Sequence, residues 1–287
     1  MKQIRKVDEA WEFYNEFILG SFSKRSQTTE IGRWENHISP MVGEKIINEL
    51  TIVDLLKLRK SLESKKLSPQ TVFHCLSLLR RILNRVVDYD YSVQVPKFRN
   101  VMPKFDNRRL RYLSRPELAS LLRILNKKSK DWFEISLFAV NTGLRRGEIL
   151  NLGFENINKN DRNICILDSK THKNRVVPLN RIAFKIISRK KDKKIFTLSA
   201  PKIFEQAVEE CRLNDGIQDA RHKVVFHTLR HTFASWLVQD GVKLEVVSQL
   251  LGHSSINITM RYAHLAPSQA KSAVNLISQK FEEKFDD

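Results

Sequence analysis

Val7, Ala10, Trp11, Tyr14, Phe17 and Ile18 fall at the i, i+3, i+4, i+7 spacing of one helix face. Similar stripes continue for roughly the first 95 residues. Thr51 and Asp54 have the form of a capping box ahead of Leu55, Leu56 and Leu62. Ser68 and Pro69 read as an N-cap and a first-turn proline, after which Val72, Phe73, Leu76, Leu79, Leu83 and Val86 hold one face. Pro96 and Pro103 interrupt the pattern, and it resumes after Ser114, which with Glu117 makes a second capping box. Residues 162–179 break the helical period: a β-branched run, a polar turn with Lys170 at or beside it, and a second β-branched run predict a hairpin. Helices are expected again from about Arg181. Gly143, Gly241 and Gly252 each follow an apolar helical stretch, where a glycine in the left-handed region commonly stops a helix. The expected fold is mainly α with a small antiparallel β-sheet. It divides into a helical domain over 1–95, a linker over 96–112 and an α+β domain over 113–287.

The chain has 287 residues, enough for two domains with their own cores. Apolar residues make up 41% and charged residues 29%, as in a globular protein. No apolar run reaches the roughly 18 residues of a membrane span. The N-terminus lacks the apolar core of a secretory signal. Cys75, Cys165 and Cys211 are odd in number and widely spaced, which argues against a disulfide framework or a cysteine-based zinc site and fits a reducing cytoplasm. Charge adds more. The net charge of +18 concentrates polyanions around the chain, and nucleic acid is the partner class this favours over a mere solubility device. Residues 97–111 are the densest run, with Lys97, Arg99, Lys104, Arg108, Arg109 and Arg111 against Asp106. Such a stretch can follow a phosphate backbone, or it can be an ordinary solvated tether.

Three further segments carry candidate chemistry. In residues 141–152, Arg145 follows the helix-stopping Gly143, and Glu148 lies one turn on. An arginine held by an acid can still present its planar fork to a phosphate, although the pair alone reads as a surface ion pair. In residues 226–241, His227 and Arg230 share a helix face. His227 and His231 have the spacing of a zincin helix, but the general-base glutamate is missing and Arg230 stands between them, so no metal is expected. In residues 250–265, Gly252 stops a helix, His253 lies in the turn, Ser254 or Ser255 caps the next helix, and Tyr262 follows on it. Phosphoryl transfer uses such a set. Guanidiniums stabilise the charge on the equatorial oxygens, a tyrosine is a usable nucleophile, and lysine and histidine move protons. Arginines supply the positive charge, and no carboxylate set of a two-metal nuclease is present, so no cofactor is expected.

These segments resemble the tyrosine recombinase, or phage integrase, family over roughly residues 112–280, with its boxes in order. The stretch 142–148 resembles the first arginine box, which implies a catalytic role for Arg145 with Glu148 orienting it. Residues 169–179 resemble the β-hairpin segment and imply Lys170, not Lys173, as the general acid. Residues 227–231 resemble the His-x-x-Arg box and imply His227 as general base and Arg230 as the second clamp. Residues 250–265 resemble the closing box and imply His253 as a phosphate donor and Tyr262 as nucleophile. His231 and His264 receive no assigned role.

The resemblance implies a site-specific recombinase acting on a double-stranded DNA recombination site through a 3′-phosphotyrosyl intermediate and a Holliday junction, as a homo-tetramer on two sites. The helical domain resembles a SAM-like core-binding domain, with the linker crossing the DNA backbone. The compact, Xer-like form leaves no room for an arm-binding domain. Ala270, Ala273, Val274, Ile277 and Phe281 suggest a C-terminal helix that docks on a neighbouring protomer or on its own domain. No membrane or small-molecule cofactor is implied, and the location is cytoplasmic, nucleoid-associated when DNA-bound. Two alternatives stay open: a type IB topoisomerase, and a non-catalytic DNA-binding derivative.

Overall fold

The computed structural model describes residues 4–89, 93–106, 111–167, 174–190, 194–198, 200 and 202–267. Lys170, Arg108, Arg109 and the segment expected to form a C-terminal helix lie outside the described residues. The chain divides into two compact units, Met1–Asn107 and Arg108–Asp287.

The first unit is helical: α1 (Val7–Phe17), α2 (Lys24–Arg33), α3 (Ser39–Val42), α4 (Ile52–Ser64) and α5 (Pro69–Tyr89), with one wide π-type turn over Trp34–Ile38 between α2 and α3. The capping box at Thr51 forms as expected, with the Thr51 N–H and Oγ1 donating to Asp54 and the Asp54 N–H returning to Thr51. Val72, Leu76, Leu79, Leu83 and Val86 of α5 are buried against Val7, Ala10 and Tyr14 of α1 and Leu55, Leu58 and Leu62 of α4. Trp11 stacks on Trp34, with ring centroids 4.8 Å apart. Phe17 and Leu56 depart from the periodic expectation and are exposed. Phe17 is the last residue of α1 and packs on the Phe13 ring rather than in the core. In the stretch after α5, Phe98 and Val101 are buried in this unit's core, while Lys97, Arg99 and Lys104 around them are exposed. Its cations face water because its apolar residues are anchored, and the Val101 carbonyl accepts from Arg59 Nη1 at 3.2 Å.

The second unit begins with α6 (Arg115–Lys128), α7 (Lys130–Thr142) and α8 (Arg146–Leu150). A three-stranded antiparallel sheet follows, in the order β1 (Ile157–Asn158), β2 (Asn163–Ile166), β3 (Arg175–Pro178). Then come α9 (Arg181–Ser188), α10 (Ile203–Glu210), α11 (Thr228–Gln239), α12 (Leu244–Leu251) and α13 (Ile256–Thr259). The expected hairpin is the β2–β3 pair, with Ile164 opposite Val177 and Ile166 opposite Arg175. Side chains alternate across a strand, so Arg175 lies on the same inward face as buried Val177. Trp132, Phe138, Phe204, Phe226 and Leu229 centre the main core. A smaller core gathers Ala234 and Val238 of α11, Val247 and Leu251 of α12, and Tyr262. Helix α11 thus belongs to both cores, through Leu229 in its first turn to the main one and through Ala234 and Val238 to the smaller. The peptide before α6 is tied to it: the Leu113 N–H donates to Thr232 Oγ1 at 2.9 Å and its carbonyl accepts from Trp236 Nε1 at 3.1 Å. No helix among the described residues is long and apolar enough to cross a membrane.

Candidate active site

Three chain reversals bring the site together. The first is at the end of α7, where Gly143 takes the left-handed conformation with φ 68°. A Cβ there would lie 2.4 Å from the Phe233 ring, so both the backbone angle and the space require glycine. Arg145 follows in extended conformation as the N-cap of α8, and its N–H donates to Glu148 Oε2 at 2.8 Å. Its Nη1 donates to Glu148 Oε1 at 2.7 Å.

The acid is shared. Arg175 on β3 donates from Nη1 and Nη2 to the two Glu148 oxygens, at 3.1 and 2.8 Å. Burial pushes the Glu148 carboxyl up, but the hydrogen bonds from Arg175 and from the Arg145 backbone outweigh it, and the group sits below its ordinary value. The Arg145 side chain keeps 42% exposure against 9% for Arg175, so Arg145 faces out while Arg175 serves as the buried counter-charge. A Cβ on Gly252 would lie 2.6 Å from Arg175 Cδ, so the stop of α12 and the hairpin arginine fit only because residue 252 is glycine with φ 63°.

The second reversal starts α11. His227 precedes the helix at its N-cap position and is exposed, and Arg230, one turn in, is only 3% exposed. Arg230 Nη1 donates to the Gly143 carbonyl at 2.8 Å and Nη2 to the Leu251 carbonyl at 2.6 Å. Both acceptors lie at helix ends, α7 and α12, where carbonyls lack intrahelical partners and the dipole is negative. One guanidinium therefore locks two helix C-termini at the floor of the site. Burial, then the neighbouring Arg145, push it down to about 9, so it is still charged at neutral pH.

The third reversal is Gly252 after α12. His253 Nδ1 is 2.8 Å from Thr259 Oγ1, which fixes the ring and leaves Nε2 for a ligand. Burial, followed by Arg230 and Arg145, pushes the imidazole down to about 3, so His253 is neutral. Ser255 caps α13, its Oγ accepting from the Asn257 N–H at 3.3 Å. Tyr262 was expected on a continuing α-helix. The chain instead tightens after Thr259 into a 3-10 helix, Met260–Leu265, which turns the phenol inward. Tyr262 is 5% exposed, and its Oη lies 2.5 Å from His231 Nδ1. Burial pushes the phenol up to about 12.

Arg145, His227, Arg230, His231, His253 and Tyr262, with Ile258 and Arg261, line one cavity of about 160 Å³. Of the residues read from the sequence as catalytic, this cavity unites five. Arg111, among the linker candidates, is engaged locally by Glu117 and by the Tyr112 carbonyl. Three cavity or supporting residues had no assigned role in the sequence: His231, Arg175 and Arg261. The signal for Arg175 was a cation on the inward face of a strand. That for His231 was the i, i+4 pair with His227, whose rings meet edge to face with centroids 4.9 Å apart.

The His253 environment makes a pH prediction. Between the ordinary value of 6.5 and about 3, an unfolded chain binds a proton that the folded ring refuses. The unfolded state then holds more protons, so stability falls as pH is lowered through that window. Melting temperature against pH should show this slope, and His253→Asn should flatten it.

The phage integrase family matches residues 111–269 of this chain. A tyrosine recombinase of Pseudothermotoga lettingae is 31% identical over 82% of this chain and 87% of its own length. The integrase of Escherichia phage P2 is 31% identical over 58% of this chain, and the match spans 46% of that protein. Among solved structures, the Tn1549 transposon integrase in complex with a circular intermediate DNA shares the fold, with a TM-score of 0.74 at 16% identity over 96% of this chain and 100% of that one.

Proposed function

The chain belongs to the phage integrase family and is a tyrosine-type site-specific recombinase, and we propose that Tyr262 is its nucleophile. Tyr262 Oη attacks a DNA phosphorus, a 3′-phosphotyrosyl bond forms, and the 5′ oxygen leaves as a hydroxyl. Arg145 and Arg230 bind the equatorial oxygens as charge builds on them, His253 donates from Nε2, and the α11 histidines handle the phenol proton. Lys170 protonates the leaving oxygen. Glu148 and Arg175 hold Arg145 in place. The 5′-hydroxyl of a partner duplex then attacks the phosphotyrosine, and the bond energy is conserved.

The observation that carries this reading is the single cavity in which two arginines, a neutral histidine and a buried tyrosine converge. Its charge suits an anion, and its volume suits a phosphate group. Exchange between two duplexes needs a nucleophile for each of four strands, which points to a homo-tetramer on a Holliday junction. Lys97, Arg99 and Lys104, exposed on the first unit, with Arg108, Arg109 and Arg111, are proposed to track the phosphate backbone. The protein works in the cytoplasm, on the nucleoid when DNA-bound. Relaxation without exchange, or DNA binding alone, is not favoured, because the relatives are recombinases and integrases.

A nicked suicide substrate tests the reading. Wild type should become covalently attached to the 3′ phosphate, and Tyr262→Phe should bind the DNA with no adduct. An adduct that persists in Tyr262→Phe would assign the nucleophile elsewhere.

A further inference from the structure

We propose that His231, not His227, is the immediate proton acceptor for the Tyr262 phenol. The inference rests on Tyr262 being the nucleophile. The geometry is direct: His231 Nδ1 and Tyr262 Oη are 2.5 Å apart, and each residue is 5% exposed. Proton transfer needs this heavy-atom reach, and here it exists before DNA arrives.

The surroundings explain why a base is needed and why it waits. Burial holds the phenol up at about 12, so Tyr262 does not ionise unaided near neutral pH. Arg230 lies next to His231 on α11, His227 stands at the N-cap of the same helix, and Arg145, Arg261 and His253 line the same cavity from other elements. These guanidiniums repel further positive charge in the cavity. A phosphate entering the cavity brings the compensating negative charge. The base is therefore switched on by the substrate, which keeps the nucleophile protonated in the absence of DNA. His227 is the exposed member of the pair, edge to face with His231, and is left to meet the phosphate oxygens.

The step balances. The Oη–H bond breaks and its proton goes to His231 Nδ1. The Oη–P bond forms, the P–O5′ bond breaks, and the leaving oxygen takes a proton from the general acid. When a 5′-hydroxyl later displaces Tyr262, the phenolate recovers its proton from His231 and the hydroxyl's proton returns to the acid. No outside reactant is required.

His231→Asn separates proton uptake from positioning. Its Oδ1 replaces Nδ1 as a hydrogen-bond acceptor for the phenol but does not take up the proton. With a nicked suicide substrate, adduct formation should slow by about 10²–10⁴, with DNA binding and melting temperature kept. Replacing Tyr262 with 3,5-difluorotyrosine, a stronger acid, should recover about tenfold or more of that loss in His231→Asn and much less in wild type. His231→Gln serves as the second variant if His231→Asn melts early. An adduct rate within about threefold of wild type, or a deficit that fluorination leaves unchanged, overturns the proposal. A wild type that binds the substrate and forms no adduct overturns the nucleophile assignment itself, a different result from either.

Discussion

Arg230→Lys is expected to slow covalent-adduct formation by about 10²–10³ or more, with DNA affinity close to wild type. Arg230 spans three directions. Nη1 meets the Gly143 carbonyl, Nη2 the Leu251 carbonyl, and the remaining edge looks into the cavity. A planar fork holds these directions at once, whereas an ammonium is a single compact centre on a flexible stem. Lysine can satisfy the two helix ends or face the phosphate, but it does not cover both. Binding suffers little because most affinity for duplex DNA comes from cations spread over the surface. Chemistry suffers because this donor faces oxygens on which charge develops during the reaction. Arg230→Met separates structure from catalysis further. It leaves two buried carbonyls without a donor, at about 1–3 kcal/mol each, but it also removes a cation crowded by Arg145 and Arg175. Its loss of stability should therefore be smaller than the two penalties together, while its loss of rate should be at least as large as that of the lysine variant. Single-turnover adduct rates, gel-shift affinities and thermal melting read these effects separately. A rate loss under about tenfold in Arg230→Lys would remove Arg230 from the reacting phosphate.

The parts of this site that were legible in sequence are those that local chemistry dictates. Caps at Thr51 and Ser114 follow from a side chain and its own backbone three residues on. The stops at Gly143 and Gly252 follow from a backbone angle that other residues adopt at a cost. Arg145, Arg230, His253 and Tyr262 were legible because phosphoryl transfer uses those side-chain types and because the segments that carry them resemble the family's boxes, in order. What stayed hidden depends on long-range pairing. Arg230 is held by main-chain carbonyls 87 and 21 residues away, and a carbonyl has no sequence signature. Glu148 pairs with Arg175 across 27 residues, so one half of its environment was invisible next to the nearby Arg145. The i, i+4 histidines suggested a metal pair to be rejected, which drew attention from His231 as a partner for tyrosine. In residues 97–106 the charge was read and the apolar residues were not, although Phe98 and Val101 are what anchor the segment. Tyr262 joined both descriptions: it packs in the smaller core and it lines the cavity, because a 3-10 turn replaces the continuing helix.

Glu148→Ala should be the most destabilising single substitution at the site. The carboxylate accepts from Arg145 through its N–H and Nη1 and from both terminal nitrogens of Arg175. Removing it strands the Arg175 guanidinium, whose side chain is 9% exposed, beside Arg145 and Arg230. Breaking a buried pair from one side costs about 3–5 kcal/mol, which for a unit of this size lowers the melting temperature by roughly 6–20 °C. Arg175→Met in the Glu148→Ala background should recover part of that loss, because it removes the stranded charge. It should not recover adduct formation, since Arg145 still lacks the acid that aims it. That split between recovered stability and unrecovered rate distinguishes a positioning role from a structural one, and a double variant that regains both would overturn the assignment of Glu148. The sign of the pH dependence follows from the depressed carboxyl. Its contribution is fully present above the ordinary value of 4.5 and disappears as pH falls through the lower folded value. Wild type should therefore lose stability in that acid range faster than Glu148→Ala, and the two melting curves should converge as pH is lowered.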